Sequence, residues 1–123
     1  MTDTELLAAF ETGALAEFRH RDHVRVGFAI LARDGDLAAA ALAFRAGLRR
    51  LAGGKYHETI TWAYLVLIAE RMHGNHYASS EALLAAHPEL LDHRGGALAQ
   101  HYDVAAITAS PLARTVFVLP GHP

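Results

Sequence analysis

Two segments of this chain, residues 24–32 and 60–69, are apolar around nearly the whole circumference of a helix. A helix of that kind has no face for water and is expected in the centre of a fold. Between the two segments, apolar side chains recur at alternating intervals of four and three residues, at Leu37, Ala41, Phe44, Leu48 and Leu51. That spacing predicts an amphipathic helix with one buried stripe. The sequence therefore predicts two central helices joined through a third.

The rest of the composition agrees with a helical protein. Alanine and leucine are abundant and runs of β-branched residues are rare, which favours helix over strand. The chain has 123 residues, a length typical of one domain, and residues 1–123 contain no linker, repeat or low-complexity tract. We expect an all-α fold, a compact single-domain helical bundle with short connecting turns and a less regular C-terminal third.

Capping residues and glycines set the expected helix boundaries. Thr2 and Glu5 have the spacing of a capping box, and Asp22 and Asp36 precede apolar periodic segments as N-caps do. The predicted helices cover residues 3–12, 22–33, 37–52, 56 or 57–72 and 80–86. In the last third, residues 90–91, 97–102 and 111–115 are candidates for short helices and residues 116–118 for an extended segment.

Charge and hydropathy exclude several classes of function. The net charge is −2, so no basic excess favours nucleic acid. The apolar segments are far shorter than the ~20 residues that span a bilayer. The amino terminus is acidic and lacks the basic residues that begin a signal peptide. We expect a soluble cytoplasmic protein; its apolar content allows a homodimer, but no helix face predicts the contact.

Two histidine clusters stand immediately before the two apolar segments. His20 and His23 belong to the first, His57 and Glu58 to the second. Short turns make successive helices antiparallel neighbours, so an up–down–up arrangement brings the starts of the predicted second and fourth helices to the same end of the bundle. The two clusters are therefore expected to meet there and to be partly shielded from water.

Three imidazoles beside a carboxylate are typical of a transition-metal site with an open position. The chain has no cysteine, so any metal ligand must be His, Asp, Glu, backbone or water. We predict His20, His23 and His57 as metal ligands, with zinc, nickel, copper or iron as the metal. Glu58 is the candidate catalytic residue, as general base on bound water, or else a fourth ligand. Such a site would handle a small molecule, by hydrolysis, lyase chemistry or oxidation.

Three other interpretations fit the same residues. Converging helix N-termini attract carboxylate or phosphate, which would make the pocket a metal-free anion-binding or acid–base site. A metal-free, non-catalytic helical binding module could also use this pocket, or an exposed helix face, for a partner. Alternatively, the histidines are only caps and buried hydrogen-bond partners. Tyr56, Thr61, Tyr102 and Arg114 are further candidate binding residues. His87, His93 and His122 have polar or terminal neighbours, which predicts surface positions.

Three segments together resemble a family of small, uncharacterised bacterial helical proteins. The chain has F-x-H-x-x-H at residues 18–23, K-Y-H-E-T-x-T at residues 55–61 and S-x-x-A-R-x-x-F-V-x-P at residues 110–120. This similarity spans most of the chain. It implies a shared helical fold and a shared site around the histidines, and it raises the interest of Arg114, but it implies no particular reaction.

Overall fold

A computed structural model describes residues 1–121 of the chain. Within that range the fold is all-α, with seven α-helices and no strand. The helices are α1 (Asp3–Thr12), α2 (His20–Asp34), α3 (Leu37–Ala52), α4 (Glu58–Met72), α5 (Ser80–Ala86), α6 (Val104–Ala109) and α7 (Pro111–Thr115). Short 3-10 turns lie at Gly53–Lys55, Pro88–Leu90 and Leu98–Gln100. The predicted helical bundle is confirmed.

Helices α2 and α4 form the centre, as their apolar sequences predict. The side chains of Val24, Val26 and Ile30 on α2 are fully enclosed, and so are those of Tyr64 and Ile68 on α4. Helix α2 packs against α1, α3, α4 and α5, while α4 packs against α2, α3 and α7. Both central helices therefore have neighbours on several sides, which explains why neither has a polar face.

Gly27 allows the two central helices to approach closely. A Cβ atom at this position would lie 2.8 Å from Cδ1 of Ile68 on α4, closer than carbon atoms pack. The missing side chain therefore sets the separation of α2 from α4. The same separation determines how near the N-terminal ends of these helices lie to one another.

The starts of α2 and α4 differ from the predicted boundaries. Helix α2 begins at His20, with Arg19 at the N-cap, so Asp22 is the third residue of the helix. The Asp22 carboxylate accepts a hydrogen bond from the backbone N–H of Arg19 at 3.1 Å. The prediction of Asp22 as N-cap was wrong because its carboxylate instead completes the helix start from the third position. Helix α4 begins at Glu58, with His57 as its N-cap.

The C-terminal third is less regular, as predicted, but its details differ. The candidates at residues 90–91 and 97–102 are 3-10 turns at Pro88–Leu90 and Leu98–Gln100, whereas the helix Val104–Ala109 has no counterpart in the prediction. The segment after α7 is extended at Val116 and crosses the start of α4. There the buried Thr59 hydroxyl donates to the carbonyl of Val116 at 2.8 Å and accepts from the N–H of Val118 at 3.1 Å.

None of the helices within residues 1–121 is both long enough and apolar enough to cross a membrane.

Candidate functional site

The start of α2 places two imidazoles at the end of the bundle. His20 is the first residue of the helix and His23 follows one turn later, and their ring centroids are 6.0 Å apart. Nε2 of His20 lies 2.7 Å from the carbonyl oxygen of Leu90. A carbonyl can only accept, so this nitrogen carries the proton and Nδ1 of the ring keeps its lone pair. The His20 ring is thus held by the 3-10 turn at Pro88–Leu90.

The start of α4 holds a third imidazole in a fixed orientation. Nδ1 of His57 accepts a hydrogen bond from the backbone N–H of Ile60 at 3.2 Å, which caps the helix. Nε2 of the same ring lies 2.8 Å from the carbonyl oxygen of Ile107 in α6. Both ring nitrogens are therefore engaged with backbone. Ligation of a metal by His57 would require that one of these two bonds be broken.

His93 and Tyr64 join the two histidines of α2. The His93 ring lies 5.0 Å from that of His20, and the Tyr64 ring lies 4.8 Å from His20 and 5.7 Å from His23. The Tyr64 hydroxyl is 3.4 Å from Nδ1 of His93, a long hydrogen bond. We refer to His20, His23, Tyr64 and His93 as the imidazole cluster.

The surroundings of the imidazole cluster favour its neutral forms. Burial, reinforced by the nearby His20 and His93, lowers the pKa of His23 to about 3. Burial also lowers the pKa of His20 and of His93, and the positive charge of Arg94 adds to the effect on His93. Burial raises the pKa of Tyr64 to about 12. At neutral pH the cluster therefore presents uncharged imidazoles and an intact phenol.

His23 has a ring nitrogen without a partner. Its Nε2 is fully enclosed and forms no hydrogen bond within residues 1–121. An enclosed nitrogen in this state costs free energy, because it has lost water and gained nothing in exchange. Such atoms are rare in folded proteins, and they often indicate a place where a water, an ion or a ligand belongs.

His23 also borders a cavity of about 240 Å³, which we call the histidine cavity. His57 and His93 line the same space, so the two histidine clusters meet at one end of the bundle, as the up–down–up arrangement predicts. Tyr56 and Thr61 line it as well, together with the flexible cation Lys55 and several apolar side chains: Phe18, Leu48, Ala52 and Ile60. His20 does not line the space; the centre of its ring lies 6.0 Å from that of His23.

Glu58 does not line the histidine cavity. Its carboxylate accepts hydrogen bonds from the Tyr56 hydroxyl and from Nε of Arg45, the latter at 3.0 Å. Burial favours the protonated form of Glu58, but these hydrogen bonds and the charge of Arg45 outweigh it and lower the pKa of the carboxyl group. Glu58 and Arg114 line a second cleft, on the other side of Tyr56. The structure thus separates the proposed base from the histidines.

The buried Tyr102 borders a third and wider space. Its hydroxyl donates to the carbonyl of Val118 at 2.8 Å, which ties it to the C-terminal segment. The cleft beside it has a volume of about 820 Å³ and is also lined by His93, Asp103 and Thr108. His93 therefore stands between this wide cleft and the histidine cavity.

The surface positions predicted for two histidines were wrong. His93 is half-buried in the imidazole cluster, and His87 is half-buried between the Tyr77 hydroxyl, at 3.0 Å, and Glu89, at 3.1 Å. No spacing in the sequence pointed to His93, because its loop meets α2 only through tertiary packing. His122 lies outside the described residues.

No group of three or more His, Cys, Asp or Glu side chains in the described range is arranged to hold a metal ion. The ring of His57 faces backbone partners at both nitrogens, and His93 takes its place beside His20. The metal site predicted from His20, His23 and His57 stays a prediction.

Comparisons with known proteins do not place the chain in a family. No family model matches the chain, and no curated protein or solved structure shows detectable similarity to it. The resemblance to small bacterial helical proteins therefore also stays a prediction.

Proposed function

We propose that this protein binds a small organic acid in the histidine cavity, as a cytoplasmic protein. The observation that carries the proposal is the enclosed Nε2 of His23, which has no partner within residues 1–121 although its ring borders an open space. Because Nε2 itself is enclosed, the ring must turn toward the cavity before a ligand atom can hydrogen-bond to it. That bond would remove a standing desolvation cost. A neutral imidazole has one N–H, which can donate to an oxygen of an ionised carboxylate when the proton is on Nε2.

Positive charge around the cavity supports an acid as the ligand. The starts of α2 and α4 both border the space, and the first turn of a helix carries partial positive charge. The exposed Lys55 adds a full charge at the edge. No Asp or Glu belongs to the described lining, so nothing within it opposes an anion.

The walls and the size of the cavity favour a ligand in which a short hydrocarbon portion is attached to the acid group. Phe18, Leu48 and Ile60 supply an apolar surface that would gain from contact with hydrocarbon. A volume of about 240 Å³ is at the lower end for ligand sites, which suits a metabolite smaller than a nucleotide.

Two of the polar lining residues are already fixed by backbone contacts. His57 is held at both nitrogens, and the Thr61 hydroxyl donates to the carbonyl of His57 at 2.8 Å. These bonds order the wall before any ligand arrives. Binding to an ordered wall costs less conformational entropy than binding to a mobile one.

Histidine side-chain NMR with benzoate as the probe tests this proposal. We expect saturable shifts of the His23 ring resonances on titration with benzoate, and little response to benzyl alcohol, which has the same ring but no charge. His23→Leu should weaken benzoate binding by about tenfold or more, corresponding to the loss of one hydrogen bond to a charged group.

His101→Leu is the matched control. His101 is exposed and does not line the cavity, so this variant should bind benzoate as the wild type does. Equal affinities of the wild type and His23→Leu would overturn the proposal. So would an unchanged wild-type spectrum with both benzoate and butyrate at millimolar concentration.

A metal site is the second candidate. The observation that favours it is that His20 lies close to both His23 and His93, and the environments of all three favour neutral imidazole, the form that ligates zinc, nickel, copper or iron. Their rings would have to turn toward a common point, since no three such side chains in the described range are arranged for a metal. Elemental analysis of tag-free protein tests it. One metal ion per chain, lost in both His20→Ala and His93→Ala but kept in His101→Ala, would establish the metal site; metal-free wild type that also binds no added Zn²⁺ would exclude it.

A further inference from the structure

We propose a second ligand site, for the phosphate group of a small phosphate monoester, in the cleft between the end of α3 and α7. This arginine cleft has a volume of about 340 Å³ and is lined by Arg45, Arg49, Gly53, Gly54, Tyr56, Glu58, Arg114 and Thr115. Tyr56 is shared with the histidine cavity, but the charged residues are not. The proposal is independent of the organic-acid site.

The charge in the arginine cleft matches a dianion. Three guanidinium groups and one carboxylate leave a net charge of +2, on a chain whose overall net charge is −2. Arg45 pairs with Glu58 at 3.0 Å. Within residues 1–121, Arg49 and Arg114 have no carboxylate partner. Two like charges facing the same cleft repel one another, and a bound anion would relieve that repulsion.

Both uncompensated guanidiniums are partly ordered already. Arg114 donates to the carbonyl of Thr108 at 3.2 Å and has a weaker contact with that of Gly54 at 3.5 Å. The guanidinium carbon of Arg49 lies 5.7 Å from the centre of the Tyr56 ring, in cation–π contact. A guanidinium has five N–H donors, so each side chain keeps donors for a ligand. Planar, paired donors of this kind suit phosphate oxygens.

The space and the loop favour an ester over the free ion. Gly53 and Gly54 line one side without side chains, and Gly53 has φ +53°, in the left-handed region that glycine adopts readily. The cleft therefore stays open beside the arginines, with room for a group attached to the phosphate. The part of the Tyr56 ring that Arg49 does not cover offers an apolar surface for that group.

Isothermal titration calorimetry with phenyl phosphate and with inorganic phosphate tests this inference. We expect saturable binding of both, tighter for phenyl phosphate. Arg49→Gln should weaken both by about tenfold, the loss expected for one charge-assisted contact. Arg49 is exposed and makes no side-chain hydrogen bond within the described residues, so this variant should fold normally. Arg49→Lys keeps the charge but not the planar donors, so its affinity for both ligands should lie between those of the wild type and Arg49→Gln.

Arg50→Gln is the matched control. Arg50 is the next residue on α3, carries the same charge and lies outside the cleft lining, so its replacement should leave phosphate binding unchanged. His23→Leu should also bind phosphate normally, which separates this test from that of the organic-acid site. Equal weakening by Arg49→Gln and Arg50→Gln would reveal only a general charge effect and overturn the inference. The absence of saturable wild-type binding at millimolar phenyl phosphate would also overturn it.

Discussion

Two groups of polar side chains lie inside this bundle, and they differ in how completely their hydrogen bonds are satisfied. In the first, the Arg25 guanidinium on α2 donates to the Asp3 carboxylate at 3.2 Å, to the Ser80 hydroxyl at 3.0 Å and to the carbonyl of Met1 at 2.7 Å. Asp3 in turn accepts from the backbone N–H of Ser80 at 2.7 Å. In the second, the imidazole cluster, Nε2 of His23 has no partner within residues 1–121.

From this difference we infer a structural role for the first group, and it supports the binding role proposed for the second. The Arg25 network connects α1, α2 and the start of α5, and each of its members gains a partner on folding. In the imidazole cluster, at the edge of a cavity, not every hydrogen bond to water that is lost on folding is replaced by one within the described part of the protein. A polar group that costs stability in the free protein is more simply explained by what it binds than by what it holds together.

Arg25→Ala should have the largest effect on stability. It leaves the largely buried Asp3 carboxylate without its cation and removes three hydrogen bonds, so we expect a loss of about 3 kcal/mol in the free energy of unfolding. Urea denaturation followed by circular dichroism measures the change. Arg21→Ala is the control, since Arg21 is exposed on the same helix and should lose less than about 0.5 kcal/mol. Similar stabilities of the two variants would contradict a structural role for the network.

The regular part of the fold was predictable because its signals are local. The capping box of Thr2 and Glu5, the Asp36 cap and the apolar stripe of α3 each depend on residues within a few positions of one another. The stripe is buried at Ala41, Phe44 and Leu48, but Leu37 at its start is exposed, contrary to the prediction. Helix α6 was not predictable in this way. It is a short segment of six residues, capped by Asp103 and packed against α7. A helix this short depends on such packing, and a local sequence pattern does not predict the packing.

The sequence predicted where the two histidine clusters meet, but it did not predict which other residues lie there. The meeting of His23 and His57 follows from two central helices and short turns. His93 was missed because it arrives from an irregular loop, and Glu58 is turned away because Arg45 on α3 offers it an ion pair. The position of His93 depends on contacts between residues that are distant in sequence, and that of Glu58 depends on its ion pair with Arg45. The spacing of residues in the sequence could predict neither.

Acidification should weaken the fold through the imidazole cluster, with the second-largest effect. The pKa of His23 is about 3 in the folded protein because of burial, against an ordinary value of 6.5. Between these values the unfolded chain binds more protons than the folded one, so acid favours unfolding. The contribution of His23 to the free energy of unfolding is therefore fully present above its pKa in the unfolded chain. It is lost as the pH falls toward its pKa in the folded protein. The lowered pKa values of His20 and His93 act in the same direction.

Urea denaturation at several pH values measures this loss. From His23 alone we expect the free energy of unfolding to fall by about 2 kcal/mol between about pH 6.5 and about pH 4.5. His23→Leu should reduce the pH dependence of the free energy of unfolding by that amount. His101→Leu, which replaces an exposed histidine outside the imidazole cluster, is the control. A pH dependence that is the same in wild type and His23→Leu would contradict a buried neutral imidazole at this position.

His23→Leu should have the smallest effect on stability at neutral pH. The substitution loses aromatic contacts with the Phe44 and Tyr64 rings, whose centroids lie 5.0 and 5.7 Å from that of His23. It also removes the enclosed nitrogen, whose lack of a partner costs a similar amount. We therefore expect a free energy of unfolding within about 1 kcal/mol of wild type, from urea denaturation.

His57→Leu is the informative comparison for that measurement. Both nitrogens of His57 are bonded to backbone, so its replacement removes a helix cap and the bond to Ile107 and should cost about 2 kcal/mol. The expected order is thus Arg25→Ala, then His57→Leu, then His23→Leu. If His23→Leu were as damaging as Arg25→Ala, the imidazole cluster would be a structural network like the first one. The unpartnered nitrogen would then no longer support a ligand in the histidine cavity, because its removal would have exposed a stabilising role.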